Sequence, residues 1–267
     1  MHLIPVRVHF GQHSYLDKIT LSPDEFYREL RRSPEHPKTS QPPPGDFRRL
    51  YEFLTSHYAA VVSISVTSRV SGTYNAAVAA AARVDASRIT VIDSGNASLG
   101  QGLIAMRAAE VARAGGTAAE VVAAARAAIT QTVTYALVAD LDFAVRGGRI
   151  PRAVQVVANL LRLGTILSSH TDGRIAAGGV IVGRFRLRDR FAKWVVRRLD
   201  RQASYRVLGA HGDCEADGRA LVAELARLRP DLKDMELMQM GTALGVHGGP
   251  GMLVVGVQRI DAGPGLR

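Results

Sequence analysis

The sequence predicts an α/β protein of two domains. Residues 1–155 form a mainly parallel α/β N-terminal domain, and residues 156–267 a smaller α/β domain with antiparallel strands. Three observations predict this. Short β-branched apolar runs alternate with alanine-rich helical stretches through the first half, as strands and helices do in a covered parallel sheet. From Gly164 onward the rhythm changes to closely spaced strand patterns around Asp172-Gly173, the pattern of a tight hairpin. A length of 267 residues suits two modest domains or one large one, and is enough to bury a full core.

Taken in order, Leu3 to Phe10 alternates apolar and other residues and reads as a strand. Ser22 then caps a helix, with Pro23 in its first position, Glu25 reaching back to the cap, and Phe26, Tyr27 and Leu30 turned to the core. Pro34 to Asp46 carries five prolines, which stiffen a loop that presents Lys38-Thr39-Ser40-Gln41. A helix from about Phe47 to His57 leads into an apolar strand at Val61 to Val66, and a helix follows from about Asn75. The next strand, Ile89 to Ile92, ends in Asp93-Ser94-Gly95. After it come a helix from Ala97 to Ala114, whose Gly100 and Gly102 permit close approach of another element, a helix from Thr117 to Ala128, and a strand from Val133 to Leu141. Arg146 to Pro151 opens a helix to about Arg162, and the domain boundary falls near Pro151 to Gly164. The second domain has strands at Gly164–His170, Gly179–Gly183, Tyr205–Ala210, Met235–Met240 and Met252–Val257, a helix at Ala216–Leu228, and a glycine-rich loop at Leu244–Gly251.

Arginine-rich Arg184 to Arg201 interleaves Phe185, Leu187, Phe191, Trp194, Val195 and Leu199 at near-helical spacing. That is an amphipathic helix docked by its apolar face, with a solvated basic face; the sharper reading is a docking face for an acidic partner. The net charge of +10 also raises nucleic acid and membrane surfaces as partners. No zinc-finger spacing or RNA-binding aromatic signature accompanies it, which disfavours nucleic acid. No uninterrupted apolar run approaches about 18 residues, and the opening MHLIPVRVHFGQ lacks the pattern of a signal peptide. The single cysteine, Cys214, excludes an internal disulfide and a cysteine-rich metal site. A cytoplasmic protein is the expectation.

The chemistry gathers where the Val61 strand passes through Thr67, Ser68, Ser71, Gly72 and Thr73 into a helix. Hydroxyls and the free N–H groups of a helix start meet there, which suits an anionic group. The alternative is that Ser71 is only an N-cap. In a parallel sheet ligands sit beyond the carboxyl ends of the strands, where this turn falls, and that favours Ser71 as a ligand contact. The chain has no G-x-S-x-G elbow, no phosphate-cradling G-x-x-x-x-G-K-[ST] loop and no H-E-x-x-H, so no metal or cofactor is expected. His247, among glycines, reads as a structural histidine or a ligand contact. A serine-dependent hydrolase using Ser71 and His247 is the enzymatic alternative.

KTSQPPPGDF, SRVSGTYNAA, VIDSGNASLGQGL, RGGRI and HGGPG occur in the order and spacing of the DegV family, and the chain resembles that family over nearly its whole length. The resemblance implies a two-domain fold that buries the tail of one long-chain fatty acid, such as palmitate or oleate, between its domains. It implies that Thr39 and Ser71 hold the carboxylate, with Ser40 and Gly72 beside them and Arg149 and His247 near the headgroup. It further implies a non-catalytic subunit, without cofactor, that presents the fatty acid to an ATP-binding fatty-acid kinase subunit, with transient membrane-surface contact and no nucleic acid. Two departures stand out. The family's first strand, ending in Asp-Ser-Thr or similar, has no counterpart here, and Leu163 to Leu167 replaces a common Ile-Lys-Pro-Ile-Leu run.

Overall fold

The computed structural model describes residues 1–138, 141–153, 155, 163–170, 172–183 and 185–261. Residues 139 and 140 of the strand expected to reach Leu141, most of the helix expected to run to Arg162, most of the domain-boundary stretch and Arg184 lie outside those residues. Leu141 itself is the N-cap of a helix rather than strand.

The chain opens with β1 (Arg7–Phe10) and β2 (His13–Leu16), followed by α1 (Pro23–Arg32), β3 (Lys38–Ser40) and α2 (Pro44–His57). β1 lies between β2 and β3 in a three-stranded antiparallel sheet. Helix α1 starts on the capping box read from the sequence: the Ser22 hydroxyl accepts from Glu25 N–H, and the Glu25 carboxylate accepts from Ser22 N–H.

Next come β4 (Val61–Ser65), α3 (Thr73–Val84), β5 (Ile89–Asp93), α4 (Ser98–Arg113), α5 (Ala118–Thr130) and β6 (Thr132–Val138). The parallel pairing implied by the strand–helix alternation is present between β4 and β5. β6 departs from it and enters a six-stranded sheet, pairing antiparallel with strands on both sides.

The rest comprises α6 (Asp142–Arg146), the hairpin β7 (Leu163–Ser169) and β8 (Ile175–Val182), α7 (Leu187–Val196), β9 (Tyr205–His211), α8 (Glu215–Leu228), β10 (Lys233–Gln239), α9 (Thr242–Gly248) and β11 (Leu253–Arg259). The large sheet runs β10-β9-β11-β6-β7-β8, with only β9 and β10 parallel. Alternate residues of its strands face opposite layers. Val133, Tyr135 and Leu137 of β6 join the core under α7 and α8, whereas Ala136 and Val138 face α4.

Helix α4 serves two cores. Leu99 and Leu103 pack on the large sheet, while Ile104 and Ala108 pack with Ile92 of β5 and the inner face of α5. Its first turn is pressed onto β6, as the expected close approach at Gly100 requires: a Cβ there would lie 2.4 Å from Thr134 Oγ1, and the Gly100 N–H donates to that hydroxyl at 3.0 Å. Gly102 differs from expectation, since a Cβ on it would meet nothing within 4 Å. Fully buried Asn96 completes the joint. Its Nδ2 donates to Thr132 O at 3.2 Å and its Oδ1 accepts from the Thr134 hydroxyl at 2.9 Å. On the other side, Thr67 donates its N–H to Asn96 O and its hydroxyl to Gly173 O, both at 2.8 Å, docking the β7–β8 turn on the end of β4.

The basic segment forms α7 over a shorter span than expected. Phe191, Val195 and Leu199 are buried, but Phe185 is 81% exposed, because the helix starts after it and leaves it off the docked face. The segment expected as a glycine-rich loop is helical as α9, capped by remote Asp17, whose Oδ1 accepts from both the N–H and the hydroxyl of Thr242 at 2.7 Å. No helix among the described residues is long and apolar enough to cross a membrane.

Asn96→Ala removes the amide donor to the Thr132 carbonyl and leaves the Thr134 hydroxyl with the Ala97 carbonyl as its acceptor, and is expected to lower the unfolding free energy by about 1–2 kcal/mol in urea titration. A loss below about 0.5 kcal/mol would show that the joint contributes little to stability.

Candidate functional site

The turn between β4 and α3 and the end of β3 face each other across a cleft of about 500 Å³. Thr39, Ser40, Ser71, Gly72 and Arg149 line it, together with Gln41. Five of the six residues singled out from the sequence thus share one cavity, and the sixth, His247, lies directly behind Thr39.

Thr39 sits opposite Val8 in the β1–β3 pairing, and its Oγ1 is 2.9 Å from His247 Nε2. His247 is in the last turn of α9, half-buried, with Nδ1 buried and without a hydrogen-bond partner. Gly147, beside it, cannot carry a side chain, since a Cβ would fall 2.2 Å from that Nδ1. Burial first, then the charges of Arg149 and His36, push the His247 pKa down to about 4. The imidazole is therefore neutral at neutral pH. With Nδ1 left as a bare acceptor, the tautomer that avoids an orphaned buried N–H places the proton on Nε2, which donates to Thr39. The Thr39 hydroxyl proton is then free to point into the cleft.

Ser71 does not cap α3 in the sense first considered; Gly72 holds the N-cap position. The Ser71 Oγ lies 2.8 Å from Thr73 Oγ1 and accepts from Thr73 N–H at 3.3 Å, which fixes its place at the head of the helix. Ser40 lines the cleft, but its hydroxyl is 2.8 Å from His9 Nε2. Arg149 is exposed, and donates to Gly147 O at 2.6 Å and Val70 O at 3.3 Å, bridging the RGGR segment to the β4–α3 turn. His247 and Ser71 bond to other partners, so the serine–histidine dyad of the hydrolase alternative is not formed here.

Two residues here were not singled out from the sequence. Gln41 follows the two hydroxyl residues directly and lies against Gly72. His36 stacks at a tilt on Phe143, with ring centroids 5.7 Å apart, and its Nε2 is buried without a partner. Desolvation lowers the His36 pKa, with Arg146 adding to the effect and Asp142 opposing it. The flanking prolines marked this loop as constrained, but only the fold shows that His36 turns inward.

The fold and cleft define an α/β protein with a hydroxyl-lined cleft between the end of β3 and the β4–α3 turn. A model of the DegV family, described as uncharacterised proteins, matches residues 1–259, and the chain belongs to that family. Protein DegV of Bacillus subtilis (strain 168) is 33% identical over 258 residues, spanning 95% of this chain and 90% of that protein. The solved structure of that B. subtilis protein, described as a fatty acid binding protein, has a TM-score of 0.84 at 30% identity and covers 97% of this chain and 92% of its own. A DegV family protein from Thermus thermophilus, described by its fatty acid binding, has a TM-score of 0.87 at 28% identity, covering 96% of this chain and 91% of its own.

The low pKa of His247 gives acid sensitivity a definite sign. The unfolded chain takes up this proton near pH 6.5 and the folded protein only near 4, so stability present above 6.5 is lost as pH falls between those values. The shift amounts to at most about 3 kcal/mol. His247→Gln is expected to flatten the dependence of unfolding free energy on pH in that window; equal slopes in the two proteins would refute the buried neutral histidine.

Proposed function

We propose that the protein binds one long-chain fatty acid, such as palmitate or oleate, holds the carboxylate between Thr39 and Ser71, and presents it to an ATP-binding fatty-acid kinase subunit. The observation that carries this reading is the pair of hydroxyls facing one open cleft, one of them backed by a neutral histidine. Two neutral donors suit a carboxylate that must stay in place yet remain open to a second reactant.

The tail needs an apolar layer behind the headgroup. Ile150, next to Arg149, and Leu244, one helical turn before His247, both pack into the core between α4 and the large sheet. Met106, Met240 and Met252 belong to the same core, and methionine repacks readily around a long chain. Burying about 15 methylenes contributes on the order of 10 kcal/mol, so affinity requires little from the headgroup. The donors fix position, which is most of what phosphoryl transfer to the carboxylate asks of this chain.

The two-domain division at about residue 155 is part of the same proposal, with the ligand between the domains. Docking to an acidic kinase surface or a membrane surface is assigned to α7, where Lys193, Arg197 and Arg201 are exposed and Val182 and Phe185 add apolar area. Arg198 is exposed on the same face, with its guanidinium 3.3 Å from the Trp194 ring centroid.

Native mass spectrometry with lipid extraction is expected to find one fatty acid per chain. Thr39→Ala and Ser71→Ala should each weaken palmitate binding by roughly tenfold or more, the loss of one hydrogen bond to a charged group, while the thermal melt stays cooperative. Unchanged affinity in both variants would end the headgroup assignment. Arg197→Glu with Arg201→Glu should weaken partner docking and spare palmitate affinity; a parallel loss of lipid would make the helix structural.

A further inference from the structure

We infer that Gln41 is a headgroup-positioning residue, whose carboxamide covers the Ser71-Gly72 turn and donates to the bound carboxylate. The inference deepens the carboxylate-binding reading above and rests on it.

Gln41 leaves the end of β3 directly after Thr39 and Ser40, and its side chain crosses the cleft to the opposite wall. There it lies on the α-carbon of Gly72: a Cβ on that residue would come within 1.7 Å of Gln41 Oε1 and 2.8 Å of its Cδ. Gly72 has a φ of −73°, which any L-residue adopts, so the backbone does not demand glycine there. The atoms that a side chain there would meet are those of the Gln41 carboxamide, which would have to move aside. Two motifs far apart in sequence, KTSQ and SGTY, therefore fit each other at this point.

The carboxamide has no hydrogen-bond partner among the described residues, although it is surrounded by polar groups. Thr39 is engaged by His247, Ser71 by Thr73 and Arg149 by two backbone carbonyls. Gln41 thus brings a further uncommitted neutral donor to the mouth of the cleft, in addition to the free Thr39 hydroxyl proton. A carboxamide presents N–H₂ at one end and oxygen at the other, and a half-turn about its last torsion brings the N–H₂ to a carboxylate lodged between Thr39 and Ser71. Being neutral, it adds a third donor without forming an ion pair.

A mutant cycle on Gln41 and Gly72 tests this, with palmitate and hexadecanol as paired probes that share a tail and differ in the carboxylate. Gln41→Ala is expected to weaken palmitate binding roughly tenfold and to leave hexadecanol within about twofold. Gln41→Glu keeps the shape but sets a like charge against the ligand, and should weaken palmitate further still. Gly72→Ala should weaken palmitate in the wild-type background by displacing the carboxamide, and should have no further effect in Gln41→Ala, where nothing remains to displace. Palmitate affinity unchanged in Gln41→Ala, equal losses for both probes, or additive effects of the two substitutions would each overturn the inference. A wild-type protein that takes up no palmitate would overturn the fatty-acid reading and this inference together, which separates the two failures.

Discussion

One hydrogen bond, between His247 and Thr39, joins elements 208 residues apart and sets the geometry of the cleft. Its two ends are held by unrelated devices. Thr39 lies on a three-residue strand that exists only because β1 pairs with it. His247 lies at the end of a seven-residue helix whose start is capped by Asp17, at the far end of the three-stranded sheet's outer hairpin. Both supports therefore come from the N-terminal β-structure, so the sheet that places Thr39 also anchors the helix that places His247. Neutrality of the imidazole follows from the same packing. Desolvation and nearby cationic charge both act against a proton, and Gly147 leaves no room for a partner on Nδ1.

The cleft lies between the end of β3 and the β4–α3 turn, and α4 ties the parallel pair that carries that turn to the large sheet. Residues on two sides of one helix belong to two hydrophobic cores, so any rotation of α4 disturbs the parallel pair and the large sheet together. The polar joint of Asn96, Thr132 and Thr134 removes that freedom, because a buried amide has few ways to satisfy its donors and acceptor. Thr67 links the same joint to the β7–β8 turn, and the Ser71 turn follows four residues later. A rigid base for Ser71 is the consequence, and a loop that must hold a hydroxyl within hydrogen-bond distance of a ligand needs one.

The legible parts of the sequence were those decided by local chemistry. The Ser22 capping box, the apolar run of β4, the Asp172-Gly173 hairpin and the hydroxyl turn before α3 depend on near neighbours, and the structure has each of them. Elements fixed by distant partners were not legible. Helix α9 takes its cap from Asp17, 225 residues away, and its glycines hid its helical character. β3 is too short to show a period, and β6 carries the same apolar pattern whether its neighbours run parallel or antiparallel. Periodicity also overextended the basic helix. Phe185 fits the spacing, yet it precedes the first helical residue and is left in solvent. Within the site, the hydroxyls were visible as residue types, whereas the use of His247 as a neutral support behind Thr39 depends on burial that no motif encodes.

The choice of donors bears on what the site can do with a carboxylate. An arginine fork would bind it more tightly, but would also draw charge from the oxygens that must attack a phosphoryl group. Here both arginines that line the cleft spend donors on backbone carbonyls, Arg69 on Asp172 and Arg149 on Gly147 and Val70, and the hydroxyls and carboxamide nearest the proposed headgroup are neutral. With the acyl tail contributing most of the affinity through burial, strong pairing at the headgroup is not required for retention. In the proposed reading, weak, well-placed donors leave the carboxylate anionic and open at the cleft mouth, beside the exposed remainder of the Arg149 guanidinium. Tight retention and a reactive headgroup are reconciled by assigning them to different ends of the ligand.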